Sequence, residues 1–198
     1  MEITDIRPSK SNSSRLAIYV DKKYSFSLNQ QSILDTKIYK GEEIDNKRLD
    51  ELKQIAELDK LYFLSLSYTS SRLKSNWQVS TYLKNKGASP ALIDVILNKL
   101  SKLGLVDDYK FTSSYIMDRQ RLRPTSLTKL KYDLMSKHID KDVINKAIED
   151  LEVLNESSLK EIISKKRRQL KYQDDQKLMQ YLIRQGYNYG EVKEALNK

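Results

Sequence analysis

The 198-residue sequence contains few of the residue types that form covalent cross-links, metal sites and turns. It has no cysteine, which excludes disulfides and thiolate metal sites and is compatible with a reducing compartment without proving one. Its one histidine, His138, excludes a two-histidine metal site, and we expect it to lie at a helix end rather than in a catalytic centre. Five glycines and three prolines are few enough for most of the chain to be helical.

Several other features are missing as well. No apolar run approaches the roughly 18 residues of a membrane span, and the N-terminus lacks the apolar core of a signal peptide, so we expect a cytoplasmic protein without membrane contact. No glycine-rich loop is present to bind a nucleotide phosphate. The neighbouring Asp107 and Asp108 suit a helix cap better than an acid/base pair. We therefore expect neither an enzyme nor a cofactor.

Positive charge is in excess and unevenly distributed. The chain has 36 Lys and Arg against 27 Asp and Glu, a net charge of +9. Residues 1–57 and 107–155 are each balanced, whereas residues 58–106 hold seven basic and two acidic residues and residues 156–198 hold ten and six. Such a distribution favours a polyanion or an acidic protein surface as partner.

The first 57 residues show the alternating pattern of strands. Residues 1–7, 16–20 and 24–28 alternate polar and apolar side chains, which predicts three short strands. The last two strands flank Asp21-Lys22-Lys23, a predicted three-residue hairpin connection, and residues 32–39 fit a short helix. A sheet this small needs helices to pack against. We expect residues 1–57 to form an accessory module.

From Asn46 onward the apolar period is helical, and one pattern occurs three times. Leu83, Leu134 and Leu182 start equivalent segments at steps of 51 and 48 residues. Each segment continues through a helix end and a new helix cap. The helix ends are Gly87, His138 and Gly186, and the caps are Ser89, Asp140 and Asn188. A period of this length indicates tandem helical repeats, which we place at residues 58–106, 107–155 and 156–198.

Local signals divide each repeat into three helices. Ser75 and Gln78 have the spacing of a capping box, as do Asn188 and Glu191. Pro90 stands at a first helical position, and Pro124 is predicted to end a helix whose apolar residues include Leu122. We predict a mainly α fold, a tandem array of three three-helix repeats preceded by a small antiparallel β-containing N-terminal module.

Clusters of basic residues are the candidate binding residues. The candidates for contact with a partner or a nucleic acid are Lys84, Lys86, Arg119, Arg121, Arg123, Lys165, Lys166, Arg167 and Arg168. The run Lys165–Arg168 fits a solvated helix face equally well, because four consecutive helical residues point around the axis. Aromatic rings can stack on bases, but Tyr82, Tyr115 and Tyr181 fall on apolar stripes and are predicted core, whereas Trp77 is predicted to be partly exposed.

Three segments, in this order, carry a family resemblance. They are Arg72 with Ser75-Asn76-Trp77-Gln78-Val79 and Tyr82-Leu83-Lys84-Asn85-Lys86-Gly87; Leu103-Gly104-Leu105-Val106-Asp107-Asp108 with Phe111, Tyr115 and Arg119; and Tyr181-Leu182-Ile183-Arg184-Gln185-Gly186-Tyr187-Asn188-Tyr189. The chain over residues 58–198 thereby resembles the RecX family, the bacterial regulators of the RecA recombinase. It departs from the family pattern at Ser126-Leu127, where a Gly-Pro is usual, at His138 in place of Gly and at Gln185 in place of Arg.

The resemblance implies a non-enzymatic regulator in DNA recombination, repair and the SOS response. A RecX protein lies in the groove of the RecA–DNA filament and restrains strand exchange and ATP hydrolysis. We expect a monomer that binds RecA and contacts single- or double-stranded DNA weakly or through RecA. The residues expected on the RecA surface are Lys84, Lys86, Lys165, Lys166, Arg167 and Arg168. The alternatives are a stand-alone DNA-binding protein with helix-turn-helix-like units and a scaffold that joins unrelated proteins.

Overall fold

The computed structural model describes residues 1–9, 14–123, 125–151 and 155–197. Within these ranges the chain forms three strands and ten α-helices. The strands are β1 (Ile3–Pro8), β2 (Arg15–Val20) and β3 (Lys23–Asn29). The helices are α1 (Gln30–Thr36), α2 (Asn46–Ser70), α3 (Asn76–Asn85), α4 (Pro90–Lys102), α5 (Asp108–Leu122), α6 (Leu127–Met135), α7 (Lys141–Asp150), α8 (Asn155–Arg167), α9 (Asp175–Arg184) and α10 (Tyr189–Leu196). The predicted mainly α fold with an N-terminal antiparallel sheet is confirmed, while the predicted stop at Pro124 lies outside the described residues.

The N-terminal sheet is antiparallel in the order β1-β2-β3. Its hairpin is one residue tighter than predicted, since Val20 pairs with Lys23 and only Asp21 and Lys22 form the turn. Both turn residues have positive φ, 48° and 65°, as a two-residue turn that follows the strand twist requires. The turn is held from outside the hairpin, because Asp21 accepts from Glu2 N at 2.9 Å and Lys22 N donates to Thr4 Oγ1 at 2.8 Å. Likewise, α1 spans 30–36 rather than the predicted 32–39.

One face of the sheet packs against α2. Ile3, Ile18, Leu28 and Leu52 are fully buried in this core, and burial of each such side chain contributes about 1.5–3 kcal/mol. Polar contacts fix the same arrangement, since Asp59 on α2 accepts from Asn29 N and from Ser32 Oγ at 3.1 and 2.9 Å. These contacts provide the helix packing that so small a sheet needs.

Inter-residue contacts divide the chain into two compact units. The first unit consists of residues 1–71 and 79–103, and the second of residues 72–78 and 104 onward. Helix α2 runs without interruption through residue 57. The division into segments at 57/58, 106/107 and 155/156 remains a prediction.

The three repeats end their middle helices in the same way. Gly87, His138 and Gly186 all have positive φ, at 86°, 57° and 89°. In each copy the following amide N–H reaches back five residues to the carbonyl of the repeated leucine: Ala88 to Leu83 at 3.1 Å, Ile139 to Leu134 at 3.3 Å and Tyr187 to Leu182 at 3.3 Å. This pattern is the Schellman motif, which satisfies carbonyls at a helix end. The three leucines are fully buried, so the sequence repeat is also a repeat in structure.

The helix caps lie at the residues that the sequence predicts, but one of them has a different hydrogen bond from the predicted one. Ser75 and Gln78 exchange the two capping-box bonds at 3.1 and 3.2 Å. Asp107 caps α5 by accepting from Lys110 N at 2.9 Å. The predicted box at Asn188 is wrong in its geometry, because the Asn188 side chain accepts from Gly190 N at 2.8 Å rather than from the residue three positions on.

Candidate functional site: a basic groove in the second unit

A groove of about 460 Å³ lies in the second unit, lined by residues of the second and third repeats. Its lining comes from the end of α5, the start of α6, α8 and the segment after it, and the end of α9. We name it the basic groove after its cationic lining: Arg119, Arg123, Lys129, Lys165 and Lys166. The remaining described lining residues are Leu122, Thr125, Ile162, Gln169, Tyr181 and Gln185, none of them acidic. The groove therefore presents cations from several helices to solvent.

Arg119 is held in place by a network on its own repeat. Its guanidinium donates to the Tyr115 hydroxyl at 2.7 and 3.0 Å and lies 3.4 Å from an Asp133 carboxylate oxygen. Burial raises the pKa of Tyr115, and the hydrogen bond and charge of Arg119 oppose that effect. The Arg119 side chain is thus oriented, and Asp133 offsets part of its charge.

Lys166 is held by aromatic rings. Its ammonium lies 4.7 Å from the ring centre of Tyr181 and 5.2 Å from that of Tyr172. The two rings are 5.1 Å apart and tilted by 53°. Two cation–π contacts of this kind favour one position of the ammonium.

The other three cations of the groove are more accessible. Lys165 pairs with Glu161 at 2.6 Å, but both side chains are about half exposed, and such surface pairs contribute at most about 1 kcal/mol. Lys129 donates to the Gln185 side-chain oxygen at 2.9 Å. Arg123 is exposed, and its guanidinium makes no hydrogen bond or ion pair with any other residue that the structure describes. A ligand that binds these three side chains would replace only the weak contacts of Lys165 and Lys129 and would break no contact of Arg123 with the described residues.

The remaining predicted binding residues lie outside the groove lining. Arg167 pairs with Asp175 and donates to Gln173 O at 2.8 Å, so it ties the end of α8 to the start of α9. Arg121 and Arg168 are exposed. In the first unit Lys84 and Lys86 are exposed near the end of α3.

A stacked pair of tyrosines lies beside one of these lysines. Lys86 is 5.5 Å from the ring of Tyr82, which stacks on Tyr68 with centres 4.2 Å apart.

The structure thus brings four of the nine predicted residues together and adds one. Arg119, Arg123, Lys165 and Lys166 share the groove, although the two arginines and the two lysines are separated by more than 40 positions in the sequence. Sequence reasoning missed Lys129, because a single lysine on an amphipathic helix carries no local signal. It also placed Leu122 on an apolar face, whereas 64% of this residue is exposed at the groove. Leu122 is the last residue of α5, so no further turn of that helix covers its side chain.

Trp77 follows the sequence expectation, whereas the three tyrosines that were predicted to be core are only half-buried. Tyr82, Tyr115 and Tyr181 are half-buried on their helices, and Trp77 is 41% exposed. Trp77 stacks on His138 with ring centres 4.5 Å apart and an interplanar angle of 18°. The histidine that stands where the other two repeats have glycine therefore packs on the indole ring.

Two further findings concern absent features. Among the residues that the structure describes, no three or more His, Cys, Asp or Glu side chains are grouped so that they could hold a metal ion. No helix within the described ranges is both long enough and apolar enough to cross a membrane.

Comparison with known proteins gives consistent matches. Residues 1–45 match the family model described as the regulatory protein RecX N-terminal domain. The chain is 28% identical over 208 residues to the regulatory protein RecX of Clostridium acetobutylicum, which covers 99% of this chain and 95% of that protein. It is 26% identical over 201 residues to the regulatory protein RecX of Bacillus licheniformis, covering 99% of this chain and 76% of the other.

Solved structures share the fold. A crystal structure of a regulatory protein RecX superposes with a TM-score of 0.76 at 23% identity, covering 100% of this chain and 99% of that chain. The crystal structure of RecX from Lactobacillus salivarius gives a TM-score of 0.63 at 22% identity, over 71% of this chain and 95% of that chain. Sequence and fold together confirm the resemblance of this chain to the RecX family.

Proposed function

We propose that this protein is a regulator of RecA, without enzymatic activity or cofactor, that binds the RecA–DNA filament as a cytoplasmic monomer. On binding, it restrains strand exchange and ATP hydrolysis by RecA. The observation that carries this proposal is the similarity to proteins named regulatory protein RecX over 99% of the chain. The common fold supports it.

The charge of the chain supports an acidic or polyanionic partner. Of the six residues expected to meet RecA, Lys84, Lys86, Lys165 and Arg168 are exposed. Lys166 and Arg167 are partly buried and engaged with tyrosines and with Asp175, so they position the neighbouring segment. We therefore assign direct contact with RecA to the four exposed residues.

ATP hydrolysis by RecA on single-stranded DNA tests the proposal. Added below the RecA concentration, the protein is expected to slow hydrolysis, because one bound regulator affects several filament subunits. Unchanged hydrolysis at equimolar protein would sink the proposal. The variant Lys84→Glu with Lys86→Glu is expected to weaken the effect, while Lys47→Glu with Lys53→Glu, two exposed lysines on α2, is the control with the same charge change.

The alternative is a DNA-binding protein that acts without RecA, and the basic groove is the observation that favours it. Tight binding to DNA alone, with log affinity falling steeply against log salt, would support this alternative. Weak binding that is lost at moderate salt, together with slowed ATP hydrolysis, supports the RecA regulator.

A further inference from the structure

A second pocket of the second unit has a volume of about 390 Å³ and shares no described lining residue with the basic groove. We name it the α5 pocket, because helix α5 supplies four of its described lining residues. Its charged and apolar lining residues are Arg72, Leu73, Phe111, Tyr115, Asp118 and Lys137. We propose that the α5 pocket binds an acidic segment of a protein partner and takes up one large apolar side chain of that segment.

The apolar part of the pocket offers a fixed surface. Leu73 lies in the turn before α3, and 40% of it is exposed. Phe111 and Tyr115 are one turn apart on α5, with ring centres 6.4 Å apart and an interplanar angle of 21°. Both rings are partly buried and pack against the core of the second repeat, so they are held in place. An exposed leucine beside two fixed rings suits the anchor residue of a protein interface.

The two cations of the pocket have no carboxylate partner in the described ranges. Arg72 is exposed, and its guanidinium makes no hydrogen bond or ion pair with any described residue. Burial lowers the pKa of the neighbouring Lys74, and the positive charge of Arg72 lowers it further. The ammonium of Lys137 lies 5.5 Å from the ring centre of Tyr115. A carboxylate from a partner would bind Arg72 through two hydrogen bonds and would offset its repulsion with Lys74.

The charge of the pocket favours a protein segment over a nucleic acid. Asp118 is exposed, so two cations and one carboxylate leave a local charge of +1. The described lining of the basic groove, in contrast, holds five cations and no acidic residue. Nucleic-acid interfaces are strongly positive, whereas protein interfaces are enriched in aromatic residues and arginine. A volume of about 390 Å³ is small for a binding pocket, so it admits one anchor residue and not a folded element.

This inference rests on the proposed function for the identity of the partner, which is then RecA. It adds an apolar anchor site to the four exposed cations that we assign to contact with RecA. Arg72, Phe111 and Tyr115 all belong to the segments that carry the family resemblance. The fold uses the two rings in its core but gives Arg72 no partner among the described residues. Contact with a partner would give Arg72 the role that the fold does not.

The variant Arg72→Gln with Leu73→Ser tests the inference in the ATP hydrolysis assay with RecA. Both side chains are exposed in the turn before α3, so the variant is expected to fold, which circular dichroism checks. Loss of an interface anchor predicts that about tenfold more protein, or more still, is needed for half-maximal slowing of hydrolysis.

A matched control removes the same features from the first unit. Lys53→Gln with Leu34→Ser takes away one exposed cation and one exposed leucine. The concentration of this control for half-maximal slowing is expected to stay within about twofold of the parent value, as for most residues outside an interface anchor.

DNA affinity without RecA separates the two classes of partner. The affinity of the Arg72→Gln, Leu73→Ser variant for a labelled single strand is expected to stay within about twofold of the parent value, because the variant removes one charge outside the basic groove. A decrease in DNA affinity as large as the loss of regulation would show that the pocket binds nucleic acid.

A peptide probe tests the pocket in the absence of RecA. The probe is a labelled peptide of about ten residues in which acidic residues surround one phenylalanine, and its control has serine in place of phenylalanine. Fluorescence anisotropy with the full chain is expected to show binding of the phenylalanine peptide. Replacement of the phenylalanine, or of Arg72 and Leu73 in the protein, is expected to weaken this binding about fivefold or more.

The outcomes separate the inference from the proposed function. Unchanged slowing by the Arg72→Gln, Leu73→Ser variant, an equal loss in the control variant, or equal affinity for the two peptides would overturn the inference. If the parent protein leaves ATP hydrolysis unchanged, the proposed function fails instead. The peptide measurement then still decides whether the α5 pocket binds an acidic segment with an apolar anchor.

Discussion

The turns at His138 and Gly186 have the same backbone conformation but differ in the space available for a side chain. Both residues have positive φ at the end of a middle helix, and both are followed by the same five-residue hydrogen bond to a buried leucine. At Gly186 an added Cβ would lie 2.7 Å from Ser126 Oγ, so a side chain there forces Ser126 to move. At His138 a side chain is present and stacks on Trp77. The turn at Gly87 is a neutral reference, because a Cβ there would meet nothing within 4 Å.

The difference separates two reasons for glycine at a helix end. The first is conformational, since a left-handed backbone costs a residue with a Cβ about 1–2 kcal/mol. The second is steric and depends on which element packs against the turn. At His138 a ring stack, which contributes about 0.5–1.5 kcal/mol, offsets the conformational cost. A repeat can therefore lose its glycine where a neighbouring ring accepts the new side chain.

The largest effect is expected for Gly186→Ala. It combines the left-handed conformation with a contact that forces Ser126 to move, and Ser126 is fully buried and donates from Oγ to Gln185 O at 2.7 Å. We expect the free energy of unfolding of the second unit to fall by about 3 kcal/mol. Urea denaturation followed by the fluorescence of Trp77, the only tryptophan, measures it.

A double variant checks the cause. Adding Ser126→Ala removes the oxygen that meets the new Cβ. The double variant is therefore expected to lose less free energy of unfolding than the sum of the losses of the two single variants. Strict additivity would show that the steric contact does not matter.

A smaller effect is expected for Ser126→Ala alone. The hydroxyl caps α6 by accepting from Lys129 N at 3.2 Å and also donates to Gln185 O in the third repeat. Loss of a cap and of one buried hydrogen bond predicts a decrease of about 2 kcal/mol in the free energy of unfolding, measured by urea denaturation. Ser136→Ala, at an exposed helix end, is the control, and a comparable loss there would contradict the assignment.

At the reference turn, Gly87→Ala is expected to destabilise the protein by about 1 kcal/mol. The left-handed conformation costs about 1–2 kcal/mol, and the smaller conformational entropy of alanine in the unfolded chain returns part of it. Thermal unfolding followed by circular dichroism reports the change. A loss as large as that of Gly186→Ala would mean that the steric distinction between the two turns is wrong.

The smallest net effect is expected for His138→Gly. The variant relieves the left-handed conformation and loses the stack on Trp77, so the stability is expected to change by less than about 0.5 kcal/mol. Exposure of the indole is expected to shift the Trp77 emission to the red. Unchanged emission would show that the ring stack does not form in solution.

Local chemistry explains which parts of the fold were predictable. A helix cap joins residues two or three positions apart, as between Ser75 and Gln78, so its signal lies within one short segment. Asp108 accepts from Asn76 N at 2.8 Å and so joins two helix starts that are 32 residues apart. Neither segment contains a sequence signal that predicts this contact.

The sequence shows which basic residues are candidates for the site, but it does not show which of them lie together in the groove. The basic runs near Arg121 and Lys166 are visible in the sequence, but their side chains divide between ion pairs, ring contacts and solvent according to the packing of α5, α6, α8 and α9. Arg167 is tied to Asp175, while its neighbour Lys165 lines the groove.

The sequence by itself determined the strands, the threefold repeat and the left-handed helix ends, because hydrophobic period and capping depend on neighbours along the chain. Tertiary structure alone decided that a side chain at Gly186 would press against Ser126, whereas His138 packs on Trp77. It also decided that Lys129 joins Arg123 and Lys165 in one groove. Those outcomes depend on which helices meet, and residues separated by tens of positions then set the space and charge around each other.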